Sequence, residues 1–192
     1  MVAHTMNNRV GYRDYVLAVL LGGYVLNTFD RGVINLLLEP IRLEFGASDA
    51  QLGMLSGLVF AIFYSTLSVP VAALADRWHR RNVLVLCVLV WTLMTALCGL
   101  AGSITLLMLA RAGVSIGQSG ASPTAHSIIA DYFPAERRAT ALGIYTLGAA
   151  AGSMLAGLYG GWGAANLGWR TTMLFAALPG ALLVPLLLFT VK

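Results

Sequence analysis

Asp30 and Arg31 interrupt a stretch from Tyr15 to Leu38 that carries no other charge, and Tyr24, Asn27 and Asn35 accompany them. An ionised side chain at the depth of a membrane costs on the order of 3 kcal/mol even on lenient insertion scales, and such groups mark ion or substrate pathways. At the helical period these polar side chains fall within roughly 140° of arc, one polar stripe on an apolar rod. The stripe must look into protein or water rather than lipid. Such a stripe is a functional-site hypothesis by default. The plainer alternative is a structural ion pair that fixes packing.

A second stripe repeats the pattern. Arg111, Ser115, Gln118, Ser119, Ser122 and His126 fall within roughly 100° on the helical wheel, and the opposite face, with Val114, Ala121 and Ile128, is apolar. Asp30 lies about eight residues, roughly 12 Å, from the outer end of its segment, and Arg111 about six residues, roughly 9 Å, from the outer end of its own. These depths allow the two to pair across a cavity; the alternative for Arg111 is snorkelling to the outer interface. For His126, packing is favoured over a proton relay. Gly117-Gln-Ser119-Gly120 has the form of a serine-protease motif. Nucleophile and base must come within about 3 Å, and His126 lies roughly 10 Å further along the same helix, so an intramembrane protease is rejected. Asp76, Arg77, Arg80 and Arg81 form a short charged loop able to latch the cytoplasmic rim. No metal-ligand cluster, phosphate loop or nucleotide motif appears, which argues against an ATP-driven pump, and no metal or cofactor is expected.

The elements that carry these stripes follow from composition. Hydrophobic residues make up 58% of 192 positions and charged residues 10%, with a mean hydropathy of +0.80. A soluble domain carries about a quarter charged residues, so much of this surface must face lipid. A helical span needs about 20 apolar residues. An all-α polytopic membrane protein is expected, with a polar segment 1–13 and a bundle 14–192 whose spans lie near 14–38, 51–75, 82–101, 104–131, 138–162 and 170–191. Breaks are expected at Gly99-Leu-Ala-Gly-Ser103 and at Gly160-Gly-Trp-Gly163, and Gly143, Gly148, Gly152 and Gly157 offer small-residue spacing for close helix contact. The first run is too long for a cleavable leader and is expected to remain as a span. Eight of the twelve basic residues fall on one side of these spans, which the positive-inside rule assigns to the cytoplasm together with both termini. Cys87 and Cys98, roughly 16 Å apart on one helix, are apolar fillers beyond disulfide reach. The net charge of +4 sits in short clusters without aromatic interleaving, so nucleic acid is not a partner. Spans 1–3 and 4–6 would run in opposite directions, a 3+3 inverted repeat with its site where the two triplets meet.

Together these motifs resemble a known family. Ala72-Ala-Leu-Ala-Asp76-Arg77-Trp-His-Arg80-Arg81 is similar to the aspartate–arginine loop of the major facilitator superfamily. Leu26-Asn-Thr-Phe-Asp30-Arg31, Leu38-Glu-Pro-Ile-Arg42, Ser122-Pro-Thr-Ala-His126-Ser, Asp131-Tyr-Phe-Pro-Ala-Glu-Arg-Arg-Ala139 and Gly168-Trp-Arg170 resemble its spinster-like branch. The resemblance covers nearly all of that family's first six-helix half. It implies a twelve-helix transporter with a central cavity, in which Asp30 is a protonation site, Arg31 its neighbour and Arg111 a cavity or support residue. Asp76 with Arg77 and Arg81 would form a cytoplasmic latch. Lysophospholipids and sphingolipids are the solutes of eukaryotic members. The chain departs from the pattern at Gln118, where the branch has a glutamate, at Ala72 and His79, where the loop has glycines, and at Ala150, where span 5 has a proline.

The function expected is therefore that of the N-terminal half of a secondary transporter, proton-linked through Asp30, moving a small or amphiphilic, lysolipid-like solute across the inner (plasma) membrane. Its partners would be the lipid bilayer, protons, the solute and a second six-helix half, supplied by a C-terminal portion, a separate chain or a second copy. The alternative from another class is a non-transporting membrane scaffold or degenerate half.

Overall fold

The computed structural model describes the backbone of residues 2–191 and the side chains of residues 11–74 and 77–191. Its elements are α1 (Val2–Leu36), α2 (Leu38–Phe45), α3 (Asp49–Gly53), which passes through a π-helical turn at Met54–Leu58 into α4 (Val59–Arg77), then α5 (Arg80–Gly99), α6 (Ile104–Ser119), α7 (Ala121–Tyr132), α8 (Ala135–Asn166) and α9 (Trp169–Thr190). Gly11–Leu36, Asp49–Leu74, Arg80–Gly99, Ala135–Asn166 and Trp169–Thr190 are each long and apolar enough to cross a membrane. The fourth crossing is divided. Pro123 has no N–H for the Ser119 carbonyl and its ring crowds that oxygen, so the helix breaks at Gly120 into α6, of 16 residues, and α7, of 12.

The helices pair in a pattern that the two triplets demand. α1 packs along α8, and α4 along α6; α5 packs on α6, and α9 on α1; α5 and α9 pack on each other. Exchanging spans 1–3 for spans 4–6 turns the first of these contacts into the second, the third into the fourth, and leaves the fifth unchanged. The inverted repeat is thus visible in which helices touch.

The α1–α8 seam is built on absent side chains. A Cβ at Gly152 would overlap the Thr28 Oγ1 and the Val25 carbonyl oxygen. Thr28 Oγ1 donates across the seam to the Gly148 carbonyl at 3.2 Å. Gly148, Gly152, Ala156 and Gly160 form the buried row, so the expected small-residue spacing is corrected at two positions. Gly143 and Gly157 face open space, with nothing within 4 Å of where a methyl group would lie. The break expected at Gly160-Gly-Trp-Gly163 is also absent, because α8 continues to Asn166. Those glycines serve contact instead: a Cβ at Gly160 would lie 2.8 Å from Leu36, and one at Gly163 would lie 2.6 Å from Thr172.

One end of the bundle is clasped by charge and aromatic rings. Gly46, at φ 60°, closes α2 in the left-handed conformation that glycine tolerates, and Ser48 with Gln51 forms a capping box that starts α3. Glu44 of α2 accepts from the Trp169 indole at 2.6 Å and from the Arg170 guanidinium at 2.5 Å. Arg170 lies 4.3 Å from the Trp169 ring and 5.6 Å from Phe45, and it also donates to the Ala101 carbonyl. The end of α2 and the α5–α6 and α8–α9 connections are thereby held together. The hydrogen bond from Trp169, then that from Arg170, keep the Glu44 carboxyl below its usual range.

Candidate functional site

Asp30 sits on α1 within reach of side chains from α5 and α6, and it is 3% exposed. The Thr95 hydroxyl of α5 donates to Oδ1 at 2.7 Å. Gln118 of α6 donates through Nε2 to Oδ2 at 3.1 Å, and Arg111 Nη1 lies 3.7 Å from the same oxygen. The Arg111 contact is an ion pair without a formal hydrogen bond, since its Nε and Nη1 have no hydrogen-bond partner. Burial of this kind costs both ions their hydration, and mutual attraction with well-aimed donors offsets that cost. Arg111 is 1% exposed, so snorkelling is excluded and the pairing inferred from depth is observed. A proton on Asp30 would remove the charge that holds Arg111.

Arg31 turns the other way from the same turn of α1. Its Nε donates to Gln118 Oε1 at 2.8 Å, so the one amide bridges Asp30 and Arg31. Its guanidinium carbon lies 4.6 Å from the Phe60 ring and 4.5 Å from the Tyr64 ring, both of α4. Phe60 and Tyr64, four residues apart and stacked at 5.5 Å, also place Phe60 5.6 Å from the Arg111 guanidinium.

Thr95, Phe60 and Tyr64 are site residues that sequence reasoning missed. A spacing of four between aromatics in span 2 was the one available signal, and Thr95 offered none beyond a lone hydroxyl in an apolar run. Asn27, one turn before Asp30, is buried with both side-chain amide atoms unpartnered. It lines a small cavity of about 20 Å³, with Tyr24, Trp91, Ala121, Tyr145 and Leu183 among its other walls. Tyr24 stacks on Tyr145 at 4.5 Å. His126 is exposed and stands edge-on to Tyr145 at 5.3 Å; Ser122 is half-buried beside it on α7.

Three members of the stripes stand apart from this cluster. Ser115 and Ser119 are buried, and their hydroxyls donate to the carbonyls of Ala112 and Ile116 in their own helix. Ser119 Oγ thus donates to its own helix backbone and not to a histidine. Asn35 is exposed near the end of α1.

Of the rim residues, Arg80 forms an ion pair with Asp131 of α7 and reaches the Ser127 carbonyl at 3.5 Å. Arg81 donates to the Val191 carbonyl at 3.2 Å, and Arg77 is exposed. The side chain of Asp76 lies outside the described residues.

Comparison with known proteins bears on this arrangement. The Major Facilitator Superfamily profile matches residues 20–192. The chain is 36% identical over 166 residues to an MFS-type efflux pump of Mycolicibacterium smegmatis, covering 86% of this chain and 39% of that protein. It is 32% identical over 139 residues to a probable sulfoacetate transporter of Cupriavidus necator, covering 72% and 32%. Among solved structures, it superposes with a TM-score of 0.88 and 39% identity on a bacterial homologue of the human lysosomal transporter spinster in its inward-facing, unoccupied conformation, covering 94% of this chain and 43% of that one. The chain thus spans about two fifths of the length of these relatives or less.

Proposed function

The chain belongs to the Major Facilitator Superfamily, and from that premise we propose that it is the N-terminal half of a secondary transporter that works by alternating access. The observation that supports this reading is where the partners of Asp30 come from. Asp30 belongs to the first triplet of spans, whereas Arg111 and Gln118 belong to the second. A proton arriving at that carboxyl would weaken the tie between the triplets. A switch of this sort, in which a local charge change biases an element with two arrangements, is a common transporter device. Asp30 is thus the proposed coupling residue, with Gln118, which cannot itself exchange a proton, as the bridge to Arg31.

Tyr24, Asn27, Arg31, Arg111, Ser122 and His126 complete the proposed solute and proton path, on the side of the bundle that a second six-helix half would cover. Asp76, Arg77, Arg80 and Arg81 are the proposed gate, and the Arg80–Asp131 pair, which joins the start of span 3 to the end of span 4, supports that placing. The basic clusters support an inner-membrane orientation with both termini in the cytoplasm. The relatives' names point to an efflux pump, a sulfoacetate transporter and a spinster homologue, so the solute is proposed as a class, small or amphiphilic, lysolipids included.

The test is proton-driven uptake by the complete assembly in proteoliposomes. Asp30→Asn should abolish the acceleration by an imposed pH gradient. Unchanged proton dependence in that variant would remove Asp30 from the mechanism.

A further inference from the structure

Two arginines share one cavity where α1 and α8 begin to cross the membrane. Arg13 of α1 and Arg137 of α8 line a cavity of about 280 Å³ together with Thr140, Leu17, Phe133 and Ile144. No acidic side chain is among its described walls. Each arginine is the third residue of its span, counted from Gly11 and from Ala135. Spans 1 and 5 run in the same direction, so the two guanidinium groups stand at one level, that of the lipid headgroups. Neither cation is well matched within the chain. Arg13 Nε lies 3.5 Å from Asp14, whose carboxylate is 62% exposed, and an ion pair so open to water is worth little. That Nε is itself sealed from water without a hydrogen-bond partner. The Phe133 ring, 4.8 Å from the guanidinium carbon, orients Arg13 without neutralising it. Arg137 is exposed and makes no ion pair among the described residues, and its neighbour Glu136 is exposed as well. Two like charges around one small space repel unless an anion sits between them.

The rest of the corner says which anion. A free ion has no use for the apolar walls Leu17, Phe133 and Ile144. From Ile144 an exposed strip runs along one face of α8 through Leu147, Met154 and Leu158. It extends roughly 21 Å, more than the roughly 15 Å of hydrocarbon in one leaflet. Ile144 and Leu147 lie roughly 100° and 160° around α8 from Tyr145, the residue that meets His126 on the face left to a second half. The strip therefore faces lipid. We infer that this corner binds an anionic phospholipid, its phosphate between Arg13 and Arg137 and an acyl chain along the α8 strip. The planar guanidinium fork fits phosphate oxygens, the Thr140 hydroxyl stands beside it, and basic pockets between spans take such headgroups. The inference rests on membrane insertion alone and stands apart from the transporter reading. Arg13 belongs to the first triplet of spans and Arg137 to the second. A lipid held by both staples α1 to α8 and stabilises the folded bundle by linkage.

The experiment is native mass spectrometry of the full chain in detergent with added phosphatidylglycerol, phosphatidylcholine or inorganic phosphate, paired with thermal unfolding. Phosphatidylglycerol should be retained roughly tenfold better than phosphatidylcholine, the scale of one charge-assisted hydrogen bond, and should raise the unfolding midpoint more. Arg137→Gln should remove most of that preference. Its side chain is exposed and unpaired, so the lipid-free unfolding midpoint should not move, which separates loss of the site from loss of the fold. Arg13→Gln combined with Arg137→Gln should erase the preference. Arg42→Gln, at the opposite end of the bundle, should keep it, which separates a built site from a general attraction between basic protein and acidic lipid. Equal retention of the two lipids, a preference that survives in the double variant, or an equal loss in Arg42→Gln overturns the inference. Displacement of the lipid by inorganic phosphate at matched concentration, with the same dependence on Arg13 and Arg137, assigns the site to a soluble anion and overturns the lipid as its occupant.

Discussion

Arg111 is the residue on which the interior is most exposed to damage. Its guanidinium is sealed from water with Asp30 as its counter-charge, so removing either partner leaves the other ion stranded. Arg111→Gln should therefore destabilise the chain by about 3 kcal/mol, read as a lowered unfolding midpoint in detergent. The double variant Asp30→Asn with Arg111→Gln should recover a measurable part of that loss, because neither charge is then left alone. The pair itself was legible in the sequence, since ions amid apolar spans have few places to go. Thr95, Phe60 and Tyr64 were not, because a hydroxyl or an aromatic ring in such a span is equally at home filling a core or meeting lipid. The helical wheel also drew Ser115 and Ser119 into the stripe. An angle cannot show that a hydroxyl turns back onto its own backbone.

At the level of the element, the glycines of α8 do different jobs on different faces. Gly152→Ala would push a methyl group into Thr28 and the α1 backbone and should cost about 2 kcal/mol through overpacking. Gly157→Ala meets open space and should be neutral or stabilise by up to about 1 kcal/mol, since alanine is the better helix former. Thermal unfolding of the two variants side by side checks both. Spacing alone made these positions look alike, because which of two interleaved glycine rows faces a neighbour depends on how the helices cross. The same ambiguity hid the continuation of α8 through Gly160-Gly-Trp-Gly163, where flexible residues that suggest a break instead admit Leu36 and Thr172. Pro123 sits inside one of the family-like motifs, and the length of the apolar run around it masks its effect on the preceding turn. Its missing N–H divides span 4.

Across the whole molecule, the order and direction of spans are read from apolar run length and loop charge, whereas helix pairing and the clasp at one end depend on distant segments meeting, which no local pattern encodes. Glu44 takes part with a carboxyl held below its usual range by Trp169 and Arg170. A group whose folded value is depressed contributes stability above its unfolded value of about 4.3 and loses it as pH falls through the lower folded value. Stability should accordingly drop on acidification below about pH 4, and Glu44→Gln should flatten that limb of the profile, as followed by tryptophan fluorescence against temperature.

None of the described residues of α4 is buried, in contrast to the other long helices, yet α4 supplies the rings that flank Arg31. Helices with so little interior contact open locally at low cost. Amide exchange measured in nanodiscs should accordingly run faster along residues 59–77 than along α5. The rings that flank the guanidinium thus ride on the long helix with no buried residue among those described, and whatever steadies that helix from outside also steadies the cation's aromatic setting.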